Sequence, residues 1–360
     1  MITEEKIYKA LSNVIEPDLK RDLVTLNMVK NLKIEGNKVT FDIELTTPAC
    51  PLKDKMKNDC VEEIKKVDSS LEIVVNFTHN TKGTFGSDQN LIPKVKNTLA
   101  VVSGKGGVGK STVAANIAIA LSKLGAKVGL IDCDVYGPSV PIMFGFNSRQ
   151  MVYENENKKM IPLEKYGIKL MSIGFFLDEK NPVIWRGPMA SGAVKQFIAD
   201  VEWDELDYLV YDMPPGTGDV QLTLAQTIPL TGALVVTTPQ AVSLADVRKS
   251  ISMLKKVNVD ILGIVENMSY FIAPDTGKSY DIFGEGGGKI LAEENNCELL
   301  GKIPIDPRIR VGGDKGTPIV YEMLESEYAK IFIDIAQKLA QVISIKNFEN
   351  EKISELKIEL

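Results

Sequence analysis

The stretch GKGGVGKST, residues 104–112, packs four glycines, two lysines and two hydroxyl side chains into nine positions. Its spacing, G-x-x-x-x-G-K-[ST] over Gly104–Ser111, suits the holding of a polyphosphate. Gly104, Gly106, Gly107 and Gly109, with Val108 among them, let successive backbone N–H groups turn toward one anion. A helix starting at the end of the loop adds the partial positive charge of its N-terminus. Lys110 is placed to reach the β- and γ-phosphates, and Ser111, followed by Thr112, to bind Mg²⁺. A second lysine, Lys105, stands where glycines ordinarily suffice. The guanine-reading pattern N/T-K-x-D is absent from this part of the chain, so the expected ligand is ATP with Mg²⁺.

Hydrolysis also needs groups that hold the metal's waters and orient the attacking one. The chain has a single histidine, His79, in a polar connector, so carboxylates, backbone amides, lysines and the metal must do that work. Two acidic segments follow apolar runs, at strand ends where an α/β sheet binds its ligands. In YDMPPGTGD (211–219), Asp212 is placed for the Mg²⁺ hydration shell and Gly216 to bring a backbone N–H near the γ-phosphate. Residues 213–219 then form a nucleotide-sensing loop. LIDCDVYGPS (130–139) holds Asp132 and Asp134, and Asp134 is the candidate that orients the attacking water. Asn267 carries an amide that suits either an adenine edge or a structural bond.

These residues need elements to position them. Before residue 95 the pattern is small and α+β. Helical periodicity runs over Glu4–Ile15, and KVTFDIELT (38–46) alternates with Val39, Phe41, Ile43 and Leu45 on one face. Pro51–Val67 reads as a helix with Leu52, Met56, Cys60, Ile64 and Val67 inward, and LEIVVNF (71–77) as a strand. THNTKGTFGSDQN (78–90) has linker chemistry. Beyond it, apolar runs at 98–103, 127–132, 208–213, 233–238, 261–266 and 299–304 alternate with helical patterns. Continuous apolar runs are what strands covered on both faces require. The expected fold is α/β: a doubly wound, mostly parallel sheet over 95–345, preceded by a small α+β domain (1–80) and a linker (81–94). A tail, 346–360, reads as a short mixed-charge helix or a frayed end.

Of 360 residues, 44% are hydrophobic and 25% charged, with a net charge of −6, which argues against binding to nucleic acid or an anionic membrane. Met1–Lys9 has acids where a signal peptide needs a basic start, and no apolar run approaches the ~18 residues of a membrane span. The four cysteines lack C-x-x-C spacing. The chain reads as cytoplasmic.

GKGGVGKST resembles the deviant Walker A loop of the ParA/MinD/nitrogenase-iron-protein class of dimeric ATPases. In that class the earlier lysine, here Lys105, crosses a homodimer interface to the partner's phosphates, a cation delivered in trans. The resemblance adds Lys105 to a catalytic set of Lys110, Asp134 and Asp212. DCDVYGPSVP, WRGPM, DMPPGTGD, TTPQ, ENMSYF and IFGEGGG then occur in order, and closely resemble the Mrp/ApbC-type iron–sulfur cluster carrier ATPases over residues 95–340. VIEPDLKRDLVTLNMVKNL and LTTPACPLKDKM resemble the small iron–sulfur assembly domain often fused ahead of them. The resemblance implies a homodimer that binds and hydrolyses ATP, takes clusters of the 4Fe–4S type from donors and passes them to apo-proteins.

One departure bears on the cargo. Many such carriers hold a C-x-x-C between MSYF and IFG, and this chain has Ala273 and Thr276 at those positions. Clusters are held by thiolates, which neither residue supplies. Cys50, in PACP (48–51), is then the candidate iron–sulfur ligand: Pro51 suits the first position of a helix, whose dipole would favour a Cys50 thiolate. Cys60, Cys133 and Cys297 read as packed residues. Two other functions stay open, a nucleotide-gated adaptor without its own cluster and a ParA/MinD-like positioning ATPase. The second needs a basic face or basic amphipathic tail, and residues 346–360 carry three lysines against four glutamates.

Overall fold

The computed structural model describes residues 2–83, 92–146, 150–176 and 187–358. Residue contacts divide the chain into two units, Met1–Lys82 with Ala340–Leu360, and Gly83–Leu339.

In the first unit the order is α1 (Glu4–Leu11), β1 (Ile15–Glu16), β2 (Arg21–Asp22), β3 (Val29–Glu35), β4 (Lys38–Leu45), α2 (Lys53–Val67) and β5 (Glu72–His79). β3 and β4 are antiparallel, whereas β4 and β5 are parallel with α2 as the crossover. The alternation along β4 buries Val39, Phe41, Ile43 and Leu45 against Ile7, Leu11, Met56, Cys60 and Ile64. Each fully buried large side chain contributes about 1.5–3 kcal/mol. Helix α1 stops at Leu11, short of the expected Ile15, because Pro17 biases Glu16 toward extended backbone and the chain pairs there with β2. Val67, expected inward, is exposed at the frayed end of α2.

The second unit contains β6 (Val95–Ser103), α3 (Lys110–Lys123), β7 (Val128–Asp132), α4 (Val140–Met143), β8 (Leu163–Lys165), β9 (Ile168–Ser172), α5 (Gly187–Ala199), β10 (Leu206–Asp212) and α6 (Asp219–Thr227). There follow β11 (Gly232–Thr237), α7 (Ala241–Lys256), β12 (Ile261–Glu266), β13 (Phe271–Ile272), β14 (Ser279–Tyr280), α8 (Gly287–Glu294), β15 (Leu299–Lys302), α9 (Pro307–Lys315), α10 (Ile319–Glu322) and α11 (Glu327–Ile358). Its eight-stranded sheet has the order β15-β12-β11-β6-β10-β7-β9-β8. Every neighbouring pair is parallel except β8–β9. β6, β10, β7 and β11 lie side by side and are almost wholly buried, so their carboxyl ends converge on one edge.

Two features depart from expectation. The β8–β9 hairpin escapes the sequence pattern because its turn is made by Tyr166 and Gly167 at φ 55° and 80°, a left-handed pair in which only the second residue signals itself. The tail is no separate end: α11 runs to Ile358, and from Ala340 it groups with the small unit. Gln341, Ser344 and Asn347 form one polar stripe on it, bonded to Asp18, Thr46 and the Lys82 carbonyl. Most of the linker (residues 84–91) lies outside the described residues.

Candidate functional site

β6 ends at Ser103 and α3 begins at Lys110, so residues 104–109 make the loop at the converging strand ends. Gly107 and Gly109 both sit at φ 80°, where a Cβ is strained. A Cβ on Gly104 would lie 2.3 Å from the Val247 backbone nitrogen, and one on Gly109 2.1 Å from Asn267 Nδ2. These close approaches show why the loop needs glycine there. Asn267 is buried; its backbone N–H donates to Thr237 O (2.8 Å) and its Nδ2 to Val108 O (2.8 Å). Of the two roles open to it, the geometry displays the brace on the phosphate loop. Gly109→Ala is expected to weaken nucleotide binding about tenfold or more, from left-handed strain of roughly 1–2 kcal/mol and displacement of this brace. Isothermal titration calorimetry against circular dichroism checks that affinity falls while the fold stays.

Lys110 and Asp212 form an ion pair inside the site, 6% and 0% exposed. Lys110 Nζ also donates to Ser111 Oγ at 3.3 Å. The second carboxylate oxygen of Asp212, Oδ2, is buried with no hydrogen-bond partner among the described residues. An unpaired buried carboxylate oxygen costs free energy unless a donor arrives. The waters around a Mg²⁺ held by Ser111 supply such donors, so the residues present fit the ion.

Asp132 is fully buried beside this pair and accepts from Asp134 N–H (3.1 Å), Val140 N–H (3.2 Å) and Ser172 Oγ (3.1 Å). Burial, then the nearby Asp212 carboxylate, pushes its pKa up. It anchors the loop that carries Asp134. Asp134 is half-buried, and its Oδ1 accepts the N–H groups of Tyr136 (3.1 Å) and Gly137 (3.2 Å). Lys105 is half-exposed, and its ammonium has no carboxylate partner among the described residues, as a cation aimed at another molecule requires.

Gly216 has its amide engaged within the protein. Its N–H donates to Ser103 O at 3.0 Å, and its carbonyl accepts from Ser250 Oγ at 3.1 Å. In this state the amide is engaged, and reaching a γ-phosphate requires the Ser103 bond to open. Sequence reading also missed a cavity of about 550 Å³ between Gly109, Thr112 and Asn267 on one side and Pro304, Ile305 and Arg310 on the other. Its predominantly apolar walls beside the loop suit a nucleoside. The residues of its far wall follow β15, and nothing in their sequence announces that the sheet brings them there.

Cys50 corrects an expectation. α2 begins at Lys53 with Leu52 at its cap, so the thiol does not cap the helix. It is 6% exposed, and burial, aided by Asp18 and Glu16, pushes its pKa up to about 11 against a bond from the Leu52 amide. It is a protonated thiol, not a prepared thiolate. Cys60 and Cys133 are buried, and Cys297 packs against the large core. Ala273 and Thr276 lie on the turn joining β13 to β14, where Ala273 N–H donates to Lys278 O and Gly277 N–H to Ala273 O. Trp185 and Arg186 of WRGPM lie outside the described residues.

Residues 94–340 match the family model described as NUBPL iron-transfer P-loop NTPase. The chain belongs to that family. Residues 4–75 match a second model, iron-sulfur cluster assembly protein. An iron-sulfur cluster carrier protein of Synechocystis is 46% identical over 349 residues, covering 96% of this chain and 99% of the relative. The one from Escherichia coli K12 is 43% identical over 334 residues, covering 92% and 89%. Among solved structures, a nucleotide-binding protein of Archaeoglobus fulgidus in complex with ADP matches with a TM-score of 0.58 and 40% identity over 67% of this chain and 93% of that one. The cell division ATPase MinD of Pyrococcus furiosus matches at 0.53 and 25%, over 67% and 97%. Among the described residues no helix is long and apolar enough to cross a membrane.

Proposed function

We propose that this chain is a cytoplasmic, homodimeric ATPase that carries iron–sulfur clusters to apo-proteins. The observation that carries the ATPase half is the buried Asp212, paired on one oxygen with Lys110 and, among the described residues, unpaired on the other, at the mouth of a glycine loop. Mg²⁺ bound there would neutralise phosphate charge. On nucleotide binding Lys110 turns from Asp212 to the phosphates, Asn267 keeps the loop in shape, and Asp134 orients the attacking water. Lys105, unpaired among the described residues, serves the second copy's phosphates. The carrier half is supported by the relatives, named iron-sulfur cluster carrier proteins and nearly co-extensive with this chain.

The cargo is held differently from the cysteine-pair carriers. Among the described residues no three or more His, Cys, Asp or Glu side chains converge to hold a metal ion. A cluster of the 4Fe–4S type therefore takes ligands from more than one molecule, and Cys50 contributes only after iron displaces its proton. Anaerobic reconstitution with iron and sulfide tests this. The expected results are weak, labile loading of wild type, near none for Cys50→Ser, and firm loading for the Ala273→Cys/Thr276→Cys double variant, read by absorbance and iron content. Wild-type loading that Cys50→Ser leaves unchanged removes Cys50 from the ligand set. No wild-type loading at all favours a nucleotide-gated adaptor.

A further inference from the structure

Helix α6, which follows the sensing loop directly, buries Val220, Gln221, Leu224 and Ala225. Position 221 shares the inward stripe with 224 and 225, at the i, i+3, i+4 spacing where an amphipathic helix places an aliphatic residue. A glutamine stands there instead, 1% exposed, with neither Oε1 nor Nε2 hydrogen-bonded among the described residues. An amide buried without partners destabilises the state in which it is found. A leucine of similar size would pack the same site without that penalty.

A partner lies within the same cavity. Gln221 lines a space of about 430 Å³ with Asp134, Pro214, Pro215 and Asp219. Asp134 uses only Oδ1 for the Tyr136 and Gly137 amides, leaving Oδ2 without a bond among the described residues. The residues that carry the buried amide and the half-used carboxylate thus line one space, together with Pro214, Pro215, Gly218 and Asp219 of loop 213–219. The loop itself is held back by the Gly216–Ser103 bond.

Resting on the ATPase reading above, we propose that Gln221 is a positioning residue for hydrolysis: as loop 213–219 rearranges, its Nε2 donates to Asp134 Oδ2 and fixes that carboxylate toward the attacking water. Gln221 touches neither phosphate nor metal; it acts through Asp134. The bond exists only in the closed state, so the free protein carries the unpaired amide and the closed one gains a rigid carboxylate.

This separates from a packing role by opposite signs. Gln221→Leu is expected to raise the thermal midpoint of the nucleotide-free protein by about 2–4 °C. It should lower kcat roughly tenfold or more, through a misaimed carboxylate, with KM for MgATP within about twofold. Gln221→Met, unbranched and apolar, should behave alike if leucine's branching disturbs α6. The Asp134→Ala/Gln221→Leu double variant should be no slower than Asp134→Ala alone, because Gln221 has nothing left to position. Unchanged kcat in both single variants overturns the proposal, as does a further loss in the double variant. So does a fall of midpoint, kcat and affinity together. If wild type hydrolyses no ATP, the ATPase reading falls and this inference with it; if wild type and Gln221→Leu hydrolyse equally, this inference alone falls.

Discussion

Lys110→Ala is expected to abolish measurable nucleotide binding, while Lys105→Ala binds MgATP and loses both turnover and ATP-dependent dimer stabilisation. The two lysines lie five positions apart in one loop, yet the structure treats them oppositely. Lys110 opens α3, is buried and is already paired with a carboxylate, so its charge is a fixture of its own subunit. Removing it deletes the cation proposed to meet the phosphates and leaves Asp212 buried without its ion-pair partner, a change of about 3–5 kcal/mol in such pairs. Lys110→Gln separates the two losses: it keeps a hydrogen-bond donor for Asp212 and should fold as wild type yet still fail to bind. Lys105 is half-exposed and unpaired among the described residues, so its removal disturbs nothing in the isolated subunit. Equilibrium dialysis, ATPase assay and analytical ultracentrifugation with and without ATP make the comparison. Normal hydrolysis by Lys105→Ala would refute delivery in trans.

Asp134→Ala is expected to bind MgATP with little change and to hydrolyse it at least ~10²-fold more slowly, the scale for losing a group that orients or deprotonates the attacking water. Asp212→Ala should instead raise the Mg²⁺ concentration needed for half-maximal activity. The burial of the two carboxylates argues for this division. Asp212 is sealed within the sheet end, its second oxygen facing no donor among the described residues, which suits a fixed hydration shell. Asp134 is half-buried on a cavity, and its Oδ2 has no bond among the described residues, which suits a mobile water. Asp132, three-fold hydrogen-bonded beneath them, holds the second in place without being available to do its work. Equal losses of nucleotide affinity in both variants would collapse the distinction. Magnesium titrations of kcat and KM for each variant decide it.

Much of the site was legible in the chain itself, because backbone geometry and charge impose residue types locally. Glycines at positive φ, a lysine opening a helix, and aspartates ending apolar strands are requirements of single elements, and they name Gly107, Gly109, Lys110, Asp132 and Asp212 without any packing information. The parallel sheet followed likewise from continuous apolar runs such as YLVY, since only strands covered on both faces tolerate them. What tertiary structure alone decided are relations between segments far apart in sequence. Asn267 could read a base or brace a loop until the fold set its amide on Val108 O, 159 residues away. Gly216 was free to face a phosphate until Ser103 took its amide. Cys50 looked like a helix-capped thiolate until α2 began three residues later and the core closed over the sulfur. Gln221 sits in a helical stripe whose inward direction, and hence whose missing partner, exists only once the sheet is assembled. Local rules select a residue type by its own backbone and charge; burial and hydrogen-bond satisfaction are set by neighbours that the linear pattern does not specify.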